Sequence, residues 1–201
     1  MSVLVLRHGE STANVEGVIV SSPGARALTE VGLSRRGREQ AAEAGRRARE
    51  AGLDAGTIVL SSDFARAAET AAVFVAELGA RGARIDARLR ERDFGPFDEG
   101  PASAYDDIWA ADAAGRSGEH GVEPVASVAR RMGVVLAEAD ALAADGRSVV
   151  LVAHGDVLQI ALALGEGRDP HEHREVPHLG NAELRELGPA RPVPGDAPAL
   201  P

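Results

Sequence analysis

The chain has 201 residues, which suits one domain large enough to bury a full core, and its formal charge of −9 argues against a nucleic-acid surface. It contains no cysteine, which excludes thiol catalysis, disulfides and cysteine metal sites, and no lysine, which excludes a Schiff-base lysine and a Walker-type phosphate lysine. All 22 basic residues are therefore arginine, the better bidentate phosphate ligand. With aromatics at 3%, alanine, leucine and valine must fill the core. The first strand begins by residue 3, leaving no room for a signal peptide, and no run approaches the roughly 18 apolar residues of a membrane span. A soluble, cytoplasmic protein is expected.

Val3-Leu4-Val5-Leu6 reads as a short buried strand that breaks directly into Arg7, His8 and Gly9. A parallel strand delivers its last side chains to the carboxyl edge of the sheet, where α/β folds keep their sites. The like charge of Arg7 disfavours an imidazolium, so His8 is expected to be neutral, as a nucleophile must be. Residues 12–26 read as a polar loop lining a pocket. Residues 34–50 are helical by composition, with Ser34 as N-cap and Gly52 just past the end. Residues 57–60 form a second strand ending in Ser61-Ser62-Asp63, and Ser62 or Asp63 is expected to cap a helix that Gly79 stops. Arg66, in the first turn of that helix, points back toward the sheet edge.

Residues 81–100 read as a connector, 102–114 as a weak helix and 115–121 as a loop. Pro124 stands where a first helical position belongs. Val125, Val128, Met132, Val135, Leu136, Ala139 and Leu142 then recur at helical spacing and are expected in the core, up to Gly146. Residues 148–153 are the strongest strand, ending in His154-Gly155-Asp156 and so repeating the order strand, His, Gly. Residues 157–164 return as a buried helix ended by Gly165, and 181–187 alternate like an edge strand. Alternating strands and helices predict an α/β sandwich, with one domain over 1–187 and a loose Pro/Ala/Gly-rich tail over 188–201.

Gathered at one sheet edge, Arg7, His8, Arg66 and His154 make an anion pocket, and the obvious anion is a phosphoryl group. Six stretches then resemble, in order, the histidine phosphatase superfamily in its phosphoglycerate mutase-like branch. They are Leu6-Arg7-His8-Gly9-Glu10-Ser11 with Asn14; residues 33–41; residues 61–70 around Arg66; Leu89-Arg90-Glu91 with Gly95; Val152-Ala153-His154-Gly155; and Gly180-Asn181-Ala182. The resemblance spans residue 3 to about 187. It implies a three-layer α/β/α sandwich with a mostly parallel central sheet.

It also implies a mechanism. His8 attacks phosphorus in line and forms a phosphohistidine. Arg7, Arg66 and His154 hold the equatorial oxygens, Asn14 adds a neutral donor and Gly155 completes the binding set. Glu91 protonates the leaving oxygen and then takes a proton from water. No metal and no cofactor is required. Asp93 and Glu10 are rival acids, with Asp93 second to Glu91. Arg66 has an alternative in Asp63 or Glu69 on its own helix. His120 falls either at a substrate wall or in an exposed loop. His171, His173 and His178 read as a solvated connector rather than a zinc site, and His154-Gly155-Asp156 lacks the companion carboxylates of a metal hydrolase.

A mutase must exclude water from its intermediate, which needs loops over the site, and the short stretch between Glu91 and Pro124 offers little lid. Hydrolysis is therefore favoured over mutase transfer. A non-catalytic phosphate-binding protein is the third reading, because fold alone does not prove activity. The low aromatic content disfavours base stacking, so the expected partner is a sugar phosphate or other small phosphorylated metabolite, with no nucleic acid and no membrane. Arg90, Arg92 and Arg116 are the candidates for a second acidic group. Pro124 replaces a residue that is often serine in similar sequences, which leaves local substrate contacts open. Oligomeric state is also open, a homodimer included.

Overall fold

A computed structural model describes residues 2–188; the tail expected over 188–201 lies, apart from its first residue, outside the described residues. Five strands form one sheet in the order β3-β2-β4-β1-β5. They are β1 (Val3–Arg7), β2 (Ile58–Ser61), β3 (Ala83–Ile85), β4 (Val149–Ala153) and β5 (Leu184–Leu187). All pairs are parallel except β1 with β5, the antiparallel edge strand. The helices are α1 (Thr12–Glu16), α2 (Arg35–Glu50), α3 (Ala65–Leu78), α4 (Ala104–Ala113), α5 (Val125–Ala144) and α6 (Gly155–Glu166).

The apolar runs in the central strands follow from burial on both faces, since side chains alternate across a strand. Val3, Val5, Ile58, Leu60, Val149 and Leu151 pack with the Val128, Met132, Val135 and Leu136 stripe of α5 and with α6. Leu4, Leu6, Val59, Val150 and Val152 pack on the other face against Ala44 and Ala48 of α2 and Phe74 and Leu78 of α3. The result is a three-layer α/β/α arrangement.

Register decides where the chemistry goes. Arg7 pairs with Ala153 across adjacent parallel strands, so His8 and His154 leave the sheet side by side. Ser61 of β2 pairs with Val152 on the other flank of β4. Loops from three neighbouring strands therefore emerge together at the carboxyl edge. The loop after β1 is clamped by α2. The Ser34 hydroxyl caps that helix by accepting from Gly37 N at 2.9 Å and donates to Glu10 Oε1 at 2.7 Å. Gly9 and Gly37 cross so closely that a Cβ on either would run into backbone of the other segment.

Several local expectations change. Residues 12–26 are not all loop. Ser11 and Asn14 form a reciprocal capping box on α1, a helix of one turn, too short for a 3.6-residue period to show. β3 was hidden within the connector because its three residues carry no apolar run and become a strand only by pairing with β2. Neither Ser62 nor Asp63 is the N-cap of α3. That position is Phe64, whose N–H donates to Ser62 Oγ at 3.2 Å, while Asp63 is taken by Arg90. Pro124 is the N-cap of α5 rather than its first residue. α6 begins two residues early and runs past Gly165 to a left-handed Gly167, because Gly165 is needed for close contact with the backbone of Gly188.

Candidate active site

His8 is buried, at 4% exposure. Its Nδ1 lies 2.7 Å from the Gly9 carbonyl, which can only accept, so Nδ1 carries the proton and Nε2 presents a lone pair. Arg66 Nε donates to that lone pair at 3.2 Å. Burial first, then the charges of Arg66 and Arg7, pushes the imidazole well below its ordinary value.

Arg66 stands in the first turn of α3, 4% exposed. Its Nη2 donates to the Val20 carbonyl at 2.9 Å, and its Nη1 is buried without a partner. The pairing with Asp63 or Glu69 does not occur. Burial pulls its guanidinium down to about 10, so it remains charged at neutral pH. Arg7 Nη1 donates to the Leu179 carbonyl at 2.6 Å and meets His178 Nε2 at 2.8 Å, while its Nε is likewise buried and unpartnered. Orphaned N–H groups on the two guanidiniums whose charges act on His8 suit an anion with several acceptor oxygens.

Glu91 occupies the N-terminus of α6. Its Oε1 accepts from Arg92 N at 2.9 Å and Val157 N at 3.2 Å, and its Oε2 faces Asp156 N at 3.5 Å. Burial pushes its carboxyl up, and the charge of Asp156 adds to the push against the backbone amides and Arg66. The rival acids are occupied elsewhere. Glu10 is held by Ser34 and by Gln40, which accepts from the Glu10 N–H, and Asp93 accepts from Gly95 N and Ser22.

Arg7, His8, Asn14, Arg66, Glu91 and Gly155 line one cavity of about 220 Å³. His154 does not. It is fully buried and meets His8 edge-on, with ring centroids 5.2 Å apart, its Nε2 2.9 Å from Ser62 Oγ and its Nδ1 without a hydrogen-bond partner among the described residues. Burial, then Arg66 and His8, pushes its imidazole well down.

Ala13, Val18 and Val20 also line the cavity, within the stretch 12–26 expected to do so, but one part of the wall was missed in the sequence. It comes from Tyr105 and Trp109 of α4, Asp156 of α6, and Arg174 and His178. α4 is docked through a buried network. Trp109 Nε1 donates to Asp156 Oδ1 at 3.0 Å, and Arg92, at 0% exposure, bonds Asp112 at 2.6 and 2.9 Å and Asp156 at 3.1 Å. Burial pushes Asp156 up, but His173, with Nε2 3.3 Å away, and Arg92 outweigh it and hold the carboxyl at about 2. A depressed carboxylate stabilises the fold above its unfolded value and loses that contribution as pH falls toward about 2. Arg92→Ala, which would strand buried Asp112 and take one of three partners from Asp156, should cost about 3–5 kcal/mol in urea unfolding at neutral pH. A loss under about 1 kcal/mol would show the network to be idle.

The other cations and histidines fall differently from expectation. Arg90 is neutralised by Asp63 at 2.5 Å, Arg92 is inside the network, and exposed Arg116 pairs with Glu119 at 3.2 Å, so none lines the cavity. His120 is exposed and also lies away from it. The segment holding His171, His173 and His178 is not simply solvated. It folds as a turn over Pro170–Glu175 that buries His173 completely and brings His178 to Arg7. Among the described residues no group of three or more His, Asp or Glu side chains is placed to hold a metal.

A mostly parallel α/β sheet whose carboxyl edge carries histidines flanked by unpaired guanidiniums defines an anion-handling α/β protein. The model of the histidine phosphatase superfamily (branch 1) matches residues 3–192, and the chain belongs to that family. Among solved structures it is similar to a mycobacterial hydrolase, hydrolase 1, at 27% identity and TM-score 0.76, covering 92% of this chain and 87% of that one. It is also similar to a mycobacterial glucosyl-3-phosphoglycerate phosphatase in complex with VO3, at 27% identity and TM-score 0.75, over 92% and 90% of the two chains. A phosphoserine phosphatase from Entamoeba histolytica, at 20% identity and TM-score 0.70 over 91% and 88%, shares the fold. A search of curated proteins gives no match.

Proposed function

We propose that the chain is a metal-independent phosphomonoester hydrolase acting on a small phosphorylated metabolite through a phosphohistidine at His8. The observation that carries this reading is the unprotonated Nε2 of His8, accepting from Arg66 and kept neutral by burial and the charges of Arg66 and Arg7, in one cavity with Glu91. In the first half-reaction Nε2 forms a bond to phosphorus as the ester oxygen leaves with a proton from Glu91. In the second, water attacks the phosphohistidine, Glu91 takes the proton, and the N–P bond breaks to release phosphate and regenerate neutral His8. Arg7 and Arg66 meet the equatorial oxygens, and their charge stabilisation supplies much of the catalysis. His154 supports His8 through its edge-on contact with that ring.

The phosphatase named above among the similar structures supports hydrolysis at the level of reaction class. Hydrolysis is preferred to mutase transfer because, among the described residues, the cover over the site comes from short pieces, the ten-residue α4, the turn before His178 and the stretch from Ser11 to Val20, a small cover for an intermediate that must be kept from water. The test is phosphate release from a panel of phosphomonoesters with excess chelator, together with rapid-quench trapping of acid-labile phosphoprotein. Chelator-resistant release with a trapped phosphohistidine is expected. Metal-dependent release would overturn the mechanism, phosphoglycerate interconversion faster than release would make the chain a mutase, and ester binding without release would make it a binding protein.

A further inference from the structure

The cavity holds three guanidiniums, and the phosphoryl group accounts for two. Arg66 and Arg7 flank His8, and theirs are the charges that act on it. The third, Arg174, lies on the Trp109 wall with its guanidinium carbon 3.5 Å from the indole centroid. Among the described residues it has no carboxylate within ion-pair distance. Its one hydrogen bond there runs from Nη1 to Gln159 Oε1. Gln159 is 1% exposed, and its Nε2 donates to the Val176 carbonyl at 2.9 Å, which turns its oxygen toward Arg174. The support of this cation is thus rigid and buried, while its other N–H groups are free for a ligand.

The aromatic wall has a related meaning. Tyr105 stacks on Trp109 at 5.1 Å and 8°. A ring in that position and a guanidinium 3.5 Å above the indole would overlap on one face, so they cover opposite faces. Trp109 therefore has no face left for a base or other planar ligand. It is a platform for Arg174, further anchored by the bond from its Nε1 to Asp156.

We propose that Arg174 reads a second negative charge on the leaving group, so that the preferred substrates are phosphomonoesters whose alcohol also bears a carboxylate or a second phosphate. This rests on the hydrolase reading for its turnover readout alone, since binding reports it independently. Arg174 feels the charges of Asp156 and Asp106 but bonds neither, so in a chain of net charge −9 its guanidinium is suited to a partner that arrives with the ligand. The small cavity volume limits that ligand to compact esters.

The test uses matched esters. 3-Phosphoglycerate against glycerol 3-phosphate isolates a carboxylate, and fructose 1,6-bisphosphate against fructose 6-phosphate isolates a second phosphate. For each, kcat and KM are measured on the intact chain and binding by calorimetry on a His8→Ala background. At least one pair should favour the doubly anionic member by about tenfold or more, mainly in KM, as a charge-assisted hydrogen bond predicts. Arg174→Gln should collapse that ratio toward one, and Arg174→Lys should restore part of it. The pair that responds identifies the anion. A ratio near one in the intact chain, or one that survives Arg174→Gln, overturns the subsite and leaves the hydrolase reading standing. A preference seen in binding but with no phosphate release leaves the subsite and overturns the hydrolase. A chain that binds and hydrolyses none of the four overturns both.

Discussion

His8→Ala is expected to lower phosphate release by about 10⁴-fold or more, the scale on which removing a nucleophile acts when the remaining machinery stays in place. The machinery should stay in place. The backbone of residue 8 is held by its own N–H to Ala153 O at 3.0 Å and by Ala182 N to its carbonyl at 3.2 Å. Among the described residues the lost ring makes polar contact with Gly9 and Arg66 alone. The guanidiniums that grip phosphate remain, so ester binding should persist while the acid-labile phosphoprotein disappears. Rapid quench with a radiolabelled ester reads both. Release within about tenfold of the native rate would move the nucleophile off His8.

Glu91→Gln should cost about 10²–10⁴-fold on esters of alkyl alcohols, the usual range for general acid–base help. Gln is nearly isosteric and its oxygen can still accept from the amides of Arg92 and Val157, so the loss reports the proton rather than the packing. The pH profile gives the sign. His8 must be neutral to attack, and its depressed value puts the acid limb of kcat/KM well below the ordinary histidine range. Glu91 must be protonated to assist departure, and its raised value moves the alkaline limb above the ordinary carboxylate range. Activity should therefore rise as pH passes His8 and fall as it passes Glu91. Glu91→Gln should abolish the alkaline limb for alkyl esters. The loss should shrink with p-nitrophenyl phosphate, whose leaving group needs no proton. An equal loss with both esters would remove Glu91 from the acid role.

How much of this was legible can be judged from particular residues. Arg7, His8 and Gly9 announce themselves because an apolar run stops without transition at the place where a parallel strand must end. The same signal recurs at His154 and, with serines, after β2. Glu91 was legible only through the resemblance; nothing local separates it from Asp93. What separates them is the N-terminus of α6, whose amides receive Glu91 while Asp93 turns to Gly95.

Composition misled where placement mattered. The low aromatic count disfavoured base stacking, but it gave no sign that the one tyrosine and the one tryptophan of the chain would both line the cavity. The arginines of the Glu91 loop were the natural choices for a second acidic group, yet Arg90 and Arg92 are spent on Asp63 and on Asp112 with Asp156. His173 looked solvated in a proline-flanked segment and is instead packed against Asp156.

By itself, then, the sequence determined the alternation of strands and helices, the sheet edge that carries the chemistry, and the residues that flank it. These follow from side-chain periodicity and from chain breaks a few residues long. Only the tertiary structure decided that buried His154 meets His8 edge-on, that α4 and the turn over Pro170–Glu175 contribute wall to the cavity, and that Arg174 has no ion-pair partner there among the described residues. Each of these depends on which distant side chain neutralises or covers which, and such pairings are set by packing across the fold.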